Sequence, residues 1–299
     1  MAAAGSRPRA PRDAPDPALN TIRELLGPTR EYLDGKGISS SRLDAEYLIA
    51  HVLAIPRLEL YLDHDRPLEP AEVDRLRDLV RRRGRREPLA YVLGSWSFYG
   101  LELHCDARAL VPRPETEIVV ERCLALLAGE PAPAIVDVGT GTGAIALALA
   151  SRLPEASVTA TDLSPGALAL ATENAEATGL ADRVELLEGD LLAPVAGRAF
   201  DLVASNPPYV AAGAEVDPEV EQYEPALAVY AGDGGRAIHE RLAAGARAVL
   251  KPGGHLVVEV GEGQASWLAE HLAAGGYTAV EVTRDLRGVE RVVSARRDE

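Results

Sequence analysis

The 299-residue chain carries 46 acidic against 31 basic side chains, a net charge of −15, and 47% of its residues are apolar. No stretch reaches the roughly 18 uninterrupted apolar residues of a membrane span. Two cysteines, Cys105 and Cys123, without a Cys-x-x-Cys pair, exclude a disulfide framework and fit reduced thiols in a cytoplasmic protein.

Residues 1–16, rich in Ala, Pro and Arg, read as a disordered tail. Prolines, Asp13 and Asp16 weigh against an amphipathic transit peptide, and there is no apolar core of a secretory signal. Residues 17–90 read as a helical domain. Asp16-Pro17 has the form of a helix start, and Ile22, Leu25, Leu26, Tyr32 and Leu33 then share a face. Gly27-Pro28 predicts a kink or break in that helix. Further helices are expected at about 41–54, opening on Ser40 or Ser41, at 57–62, and from Pro70 to near Gly84. The run Arg81-Arg82-Arg83 with Arg85-Arg86 reads first as a solvated face at a helix C-terminus, where cations are favoured, and second as a docking patch.

Residues 91–113 form a connector in which short alternating runs around Gly94 and Gly100 predict a β-hairpin. From 114 to 299 helices and strands alternate. Helices are expected at 115–128, 143–152, 165–178, 234–250 and 264–274; strands at 134–138, 157–161, 183–187, 200–204, 255–260, and near 277–283 and 289–295. This pattern predicts an α/β fold, a doubly wound, mostly parallel Rossmann-like sheet covered on both faces, with an antiparallel hairpin at one edge. This half carries 13 basic against 29 acidic residues, which weighs against a phosphate-backbone partner, and no histidine has metal-ligand spacing.

The strand ending at Val138 opens into Gly139-Thr140-Gly141-Thr142-Gly143. Glycines at these positions let backbone approach a ligand closely. The Gly-x-Gly-x-Gly spacing favours S-adenosylmethionine over a dinucleotide, whose pyrophosphate wants the longer loop. At the end of the next strand, Asp162 is placed to accept ribose hydroxyls; the competing reading is a helix cap, a task Ser164 can take instead. After the third strand, Asp190 and Leu191 are candidates for the adenine amino group and ring, or plain loop structure.

Asn206-Pro207-Pro208-Tyr209 follows the next strand and therefore faces the same crevice as the glycine loop. An amide or exocyclic amine nitrogen is a poor nucleophile because its lone pair is delocalised. The Asn206 side-chain oxygen and the Pro207 carbonyl can accept its two N–H groups and stabilise positive charge growing on nitrogen. The two prolines remove competing N–H donors, and Tyr209 can stack on the planar group.

With these motifs in place, most of residues 17–295 resemble the HemK-type glutamine N5-methyltransferases of peptide-chain release factors. Pro88-Leu89-Ala90-Tyr91 with Gly94 and Phe98 to Leu101, Val111 to Glu117, the glycine loop, Asp162, Asn206 to Tyr209, Tyr223-Glu224-Pro225 and Asp285 to Gly288 carry the likeness. The resemblance implies S-adenosylmethionine as cofactor. It implies class I peptide-chain release factors as protein substrate, methylated on the glutamine of a Gly-Gly-Gln motif, and it makes the helical domain a recognition module. Leu191 departs from members that place an aromatic over the adenine. Alternatives from the residues are glutamine methylation of a large-subunit ribosomal protein and N6 methylation of DNA adenine. The acidic C-terminal half and the lack of a DNA-recognition domain count against the latter. A module that only binds a partner is a third, non-enzymatic reading.

Overall fold

The computed structural model describes residues 20–232 and 235–298; the expected tail at 1–16 lies outside them. The chain divides into two compact units between Leu93 and Gly94. The first holds α1 (Ile22–Asp34), α2 (Ser41–Leu53), α3 (Glu59–Leu62), α4 (Pro70–Gly84) and α5 (Leu89–Leu93). The expected start at Asp16-Pro17 lies outside the described residues, and α1 as described is capped by Thr21: the Thr21 hydroxyl accepts from the Glu24 N–H at 3.3 Å, and the Glu24 carboxylate accepts from the Thr21 N–H at 2.9 Å. Gly27-Pro28 does not break it. Pro28 sits inside one continuous helix. An interior proline costs about 3 kcal/mol, but Ile22 on one side of it and Thr29 and Leu33 on the other are buried, and this packing offsets the loss.

Three arginines of the run, Arg82, Arg83 and Arg86, are tied into the fold. Arg83 donates to Asp44 on α2 at 2.6 Å, with both side chains 3% exposed. Arg82 pairs with Glu87 and donates to the Tyr91 carbonyl at 3.0 Å, and Arg86 donates to the Gly37 carbonyl at 2.6 Å. Gly84, at the end of α4, has no room for a side chain, because a Cβ there would lie 2.7 Å from the Tyr32 ring on α1.

The second unit opens with the hairpin β1 (Ser95–Phe98) and β2 (Leu101–His104), paired antiparallel. Its two-residue turn, Tyr99-Gly100, has φ of +50° and +84°, the signature of a primed turn whose twist matches the strands. There follow α6 (Glu117–Leu126), β3 (Ala134–Val138), α7 (Ala144–Arg152), β4 (Ser157–Asp162), α8 (Pro165–Ala177), β5 (Val184–Glu188) and β6 (Phe200–Ser205). The chain continues through α9 (Pro218–Tyr223), α10 (Ala226–Val229), α11 (Ala237–Val249), β7 (Leu250–Glu259), α12 (Ala265–Ala274), β8 (Tyr277–Arg284) and β9 (Glu290–Arg297). The α9 and α10 helices were not expected, although Asp217-Pro218 is a legible helix start whose carboxylate accepts from the Glu219 N–H at 3.0 Å.

Strands β3 to β9 form one sheet in the order β5-β4-β3-β6-β7-β9-β8, parallel except at β9 and β8. Alternate residues feed opposite cores. Ile135 and Leu202 pack with α6 and α7 on one face; Val136, Val138 and Val203 pack with α11 and α12 on the other. Among the described residues no helix is long and apolar enough to cross a membrane, and no group of three or more His, Cys, Asp or Glu side chains is poised to hold a metal ion.

Substituting Arg83 by Met strands the buried Asp44 carboxylate and is expected to destabilise the helical unit by about 3–5 kcal/mol, read as a lowered urea midpoint. Arg81→Met, which removes a solvent-exposed pair with Asp78, should leave that midpoint in place.

Candidate active site

The chain leaves β3 toward β4 and β5, then returns to β6 on the other side of β3. Loops after β3 and β6 therefore diverge at the C-terminal edge of the sheet and open a crevice between them. The two strands are pinned where they part: Val138 is level with Ser205, and the buried Ser205 hydroxyl donates to the Val138 carbonyl at 2.6 Å. A cavity of about 390 Å³ lies over this point. Its wall includes Gly139 to Thr142, Asp162, Asp190, Leu191, Asn206 and Pro208, so the glycine loop and the Asn-Pro-Pro loop share one space.

The glycine loop is held from beneath. Gly139 and Thr140 donate backbone N–H groups to the Thr161 carbonyl at 2.8 and 3.0 Å, and Gly141 donates to the Asp162 carboxylate at 2.9 Å. Gly139, Gly141 and Gly143 all have positive φ. A Cβ on Gly139 would meet open space. Gly143 is not on the wall. Its hydrogen faces Leu147 and Ala171, 3.1 and 3.3 Å from where a Cβ would sit, so it serves the close approach of α7 and α8.

Asp162 does not cap α8. Ser164 does, its hydroxyl accepting from the Ala167 N–H at 3.2 Å, while Asp162 accepts from the Ser164 N–H at 2.9 Å. Two of the carboxylate's roughly four lone-pair sites are thus used, and it stays on the wall. Asp190 is paired with Arg241, also on the wall, so its carboxylate already has a cationic partner at the rim. Leu191 holds φ at +49°, an uncommon conformation for leucine, and the Thr161 hydroxyl fixes its carbonyl at 2.8 Å.

Beneath the loop, Asp137 is wholly buried. It accepts from the Thr140 hydroxyl at 2.6 Å and the Ala146 N–H at 3.2 Å, while its Oδ1 has no partner. Burial pushes its carboxyl up to about 7, against those two hydrogen bonds.

Asn206 donates its Nδ2 to the Thr116 hydroxyl at 3.0 Å. The other motif residues differ in placement. Pro207 is buried, and neither it nor Tyr209 is among the residues that line the cavity. The Tyr209 ring is packed on Gly261, and its carbonyl is held by Gln264 at 3.0 Å. The ring expected to stack on a planar ligand thus lies off the cavity wall, against Gly261. Burial pushes the Tyr209 hydroxyl up to about 12 and Glu259 to about 7.

Three wall features had been given no role from the sequence. Thr116 lies in a short turn, Pro114–Thr116, before α6. Arg113 clasps the buried Glu224 with two bonds of 2.7 and 2.8 Å, drawing Pro225, Leu227 and Ala228 into the wall. Arg241 comes from α11. Arg113, Thr116 and Glu224 fall in segments that carried the family resemblance, which was the available signal.

The PrmC N-terminal domain family matches residues 24–94, and the methyltransferase small domain family matches residues 118–223, a span holding both loops. The release factor glutamine methyltransferase of Geobacter sulfurreducens is 42% identical over 282 residues, 94% of this chain and 98% of that protein. That of Deinococcus radiodurans is 45% identical over 278 residues, 92% and 98% of the two chains. This chain belongs to the release factor glutamine methyltransferase family. The methyltransferase fold extends beyond the family: the hMettl16 catalytic domain superposes with a TM-score of 0.53 at 17% identity, covering 77% of this chain and 84% of that one.

The raised carboxyl of Asp137 sets a pH dependence. Its folded value lies above its unfolded one, so its stabilising contribution is complete below about pH 4 and is lost as pH rises through about 7. The unfolding free energy of Asp137→Asn should therefore gain on that of the natural protein from pH 4 to 8, by at most about 1.4 kcal/mol per pH unit, in urea titrations at each pH.

Proposed function

We propose that this protein transfers a methyl group from S-adenosylmethionine to the side-chain nitrogen of the glutamine in the Gly-Gly-Gln motif of class I release factors. The observation that carries this reading is the Asn206 carboxamide. With Nδ2 given to Thr116, Oδ1 is the atom left to meet a donor, on the wall of the cavity that the glycine loop also lines. Relatives matching nearly the whole chain bear the name of that activity.

The residues present fit the methyl donor. Gly139 offers bare backbone beside open space, Asp162 retains lone pairs for vicinal hydroxyls, and Leu163 and Leu191 offer apolar faces on the wall. A cavity of about 390 Å³ falls in the range of small-molecule sites. When bound, S-adenosylmethionine supplies an electrophilic methyl group on a sulfonium sulfur.

The protein's task is then orientation and charge stabilisation. Asn206 Oδ1 accepts one N–H of the glutamine amide. We assign the second to the Pro207 carbonyl on the chemistry of the motif, because neither Pro207 nor Pro208 has an N–H to compete. Both acceptors strengthen as positive charge develops on nitrogen, and fixing the amide plane removes the cost of finding the geometry. The methylated nitrogen then gives up a proton readily, so no base need act first. Asp190, already paired with Arg241, keeps an oxygen for the adenine amino group. The helical unit, with Leu58 and Leu62 largely exposed, is our candidate for release-factor recognition, in the cytoplasm where release factors act.

Mass spectrometry of a Gly-Gly-Gln release factor incubated with this protein and S-adenosylmethionine should show one added methyl group on that glutamine. Methyl transfer to a large-subunit ribosomal protein or to DNA instead would reverse the assignment. Asn206→Ala is expected to raise the barrier by about 2–4 kcal/mol, lowering kcat with little change in cofactor affinity. Asp162→Ala should weaken cofactor binding by about tenfold or more, as measured by calorimetry, since it removes a ribose acceptor and frees the Gly141 N–H.

A further inference from the structure

We infer that Gln264, at the start of α12, is a positioning residue for methyl transfer: it anchors the far end of the Asn206–Tyr209 loop and so fixes the direction of the Pro207 carbonyl. The inference rests on the methyl-transfer reading above. The two prolines make an anchor at Tyr209 felt at Pro207. Each ring holds its own φ at about −65°, and a residue before proline is confined to extended conformations. Such a segment cannot re-aim its carbonyl by local rotation; it moves as a rod, about its ends.

The near end is held by β6, through the Ser205 hydroxyl on the Val138 carbonyl. The far end has two ties. Val210 donates to the Val229 carbonyl at 3.1 Å and accepts from the Ala231 N–H at 2.9 Å, which joins it to another loop segment. Gln264 joins it to the sheet. β7 runs beside β6, with Val258 level with Ser205, and the turn after β7 brings Gly261 and Gln264 against Tyr209. The Gln264 Oε1 accepts from the Gly261 N–H at 3.0 Å, and Nε2 donates to the Tyr209 carbonyl at 3.0 Å. A backbone N–H can only donate and a carbonyl can only accept, so this carboxamide has a single serviceable orientation.

Two observations mark the contact as built. Glycines on separate loops are bare where they meet it. A Cβ on Gly261 would lie 3.0 Å from the Tyr209 ring and 3.1 Å from Gln264 Oε1, and one on Gly235 would lie 2.4 Å from the Tyr209 carbonyl oxygen. Gln264 also occupies the N-cap position of α12 without capping it. A serine would serve the helix better there; the longer side chain of Gln264 is spent on Tyr209 instead. Neither Gln264 nor Tyr209 lines the cavity, so the effect on chemistry passes through the backbone of the loop.

The test uses Gln264→Ser and Gln264→Glu in the full-length protein. Serine supplies the missing cap of α12 and gives up the tether, so the urea midpoint should hold or rise. At the same time kcat for methylation of a Gly-Gly-Gln release factor should fall by about 10–100-fold, the scale of loss when a reacting group is displaced by about an ångström. Glutamate keeps the size of glutamine and the bond from the Gly261 N–H, but at neutral pH it sets an ionised oxygen against the Tyr209 carbonyl; its kcat should fall at least as far. Calorimetric affinity for S-adenosylmethionine should stay within about twofold in both variants, because Gln264 is off the cavity wall.

In protein labelled with 13C at the tyrosine carbonyl, the Tyr209 signal, assigned by its absence from Tyr209→Phe, should shift between the natural protein and Gln264→Ser as its hydrogen bond is lost. Unchanged kcat in either variant would overturn the inference. So would a loss of kcat in Gln264→Ser matched by an equal loss of cofactor affinity or by a lowered urea midpoint, or a Tyr209 signal that does not move. A signal that moves while the natural protein transfers no methyl group would instead refute the proposed function, and with it the role of Gln264 in transfer, leaving the tether as a contact of the fold.

Discussion

The hydrogen bond from the Ser205 hydroxyl to the Val138 carbonyl marks the place on which the rest of the catalytic unit depends. It ties β3 to β6 at the last residues the two strands share, and past it their loops turn apart. The doubly wound order makes this unavoidable, since the chain crosses from one side of β3 to the other only once. Both loops assigned to the transfer begin at that divergence, the glycine loop at Gly139 and the acceptor loop at Asn206. The tie is wholly buried, so water does not compete with it, and the separation of the two loops is set by strand spacing rather than by loop packing.

The cavity wall is held by contacts from behind. Asp162 holds Gly141, Thr161 holds Gly139, Thr140 and Leu191, and Arg113 with Glu224 holds the segment around Pro225. The αL conformation of Leu191 belongs to the same design: strain at this position persists because the Thr161 hydroxyl and the packing around it determine the backbone. A wall built in this way meets a ligand with its geometry already set, which reduces the ordering cost of binding.

Much of this was legible in the sequence, and the boundary is a physical one. Strands with apolar runs ending in glycine or Asn-Pro-Pro declare both their burial and their loops, so β3, β6 and the crevice between them could be read from local pattern. The passage of α1 through Pro28 could not, because the packing that carries the helix past its proline comes from residues distant in sequence. The arginine run looked like a charged face, yet Arg83 finds Asp44, 39 positions away, and is buried with it. Tyr209 was placed at the ligand by its motif, whereas its ring lies off the cavity wall and packs on Gly261, far along the chain. Short-range pattern specifies elements and loops; it does not say which buried partner claims a side chain.

Those buried partners share a character. Asp137, Glu224 and Glu259 are all nearly inaccessible, and for each, burial is the leading cause of a raised carboxyl. Buried carboxyls are poor investments in stability alone. Two of the three hold one piece of the crevice each: Asp137 the Thr140 turn and the start of α7, Glu224 the Arg113 side of the wall. Apolar residues would pack these places more favourably, but they cannot orient a hydroxyl, an N–H or a guanidinium. A site whose chemistry is mostly orientation needs fixed acceptors, and fixed acceptors must be buried to stay fixed. The acidic excess of this half of the chain thus has a component that belongs to the site's architecture and not to its surface.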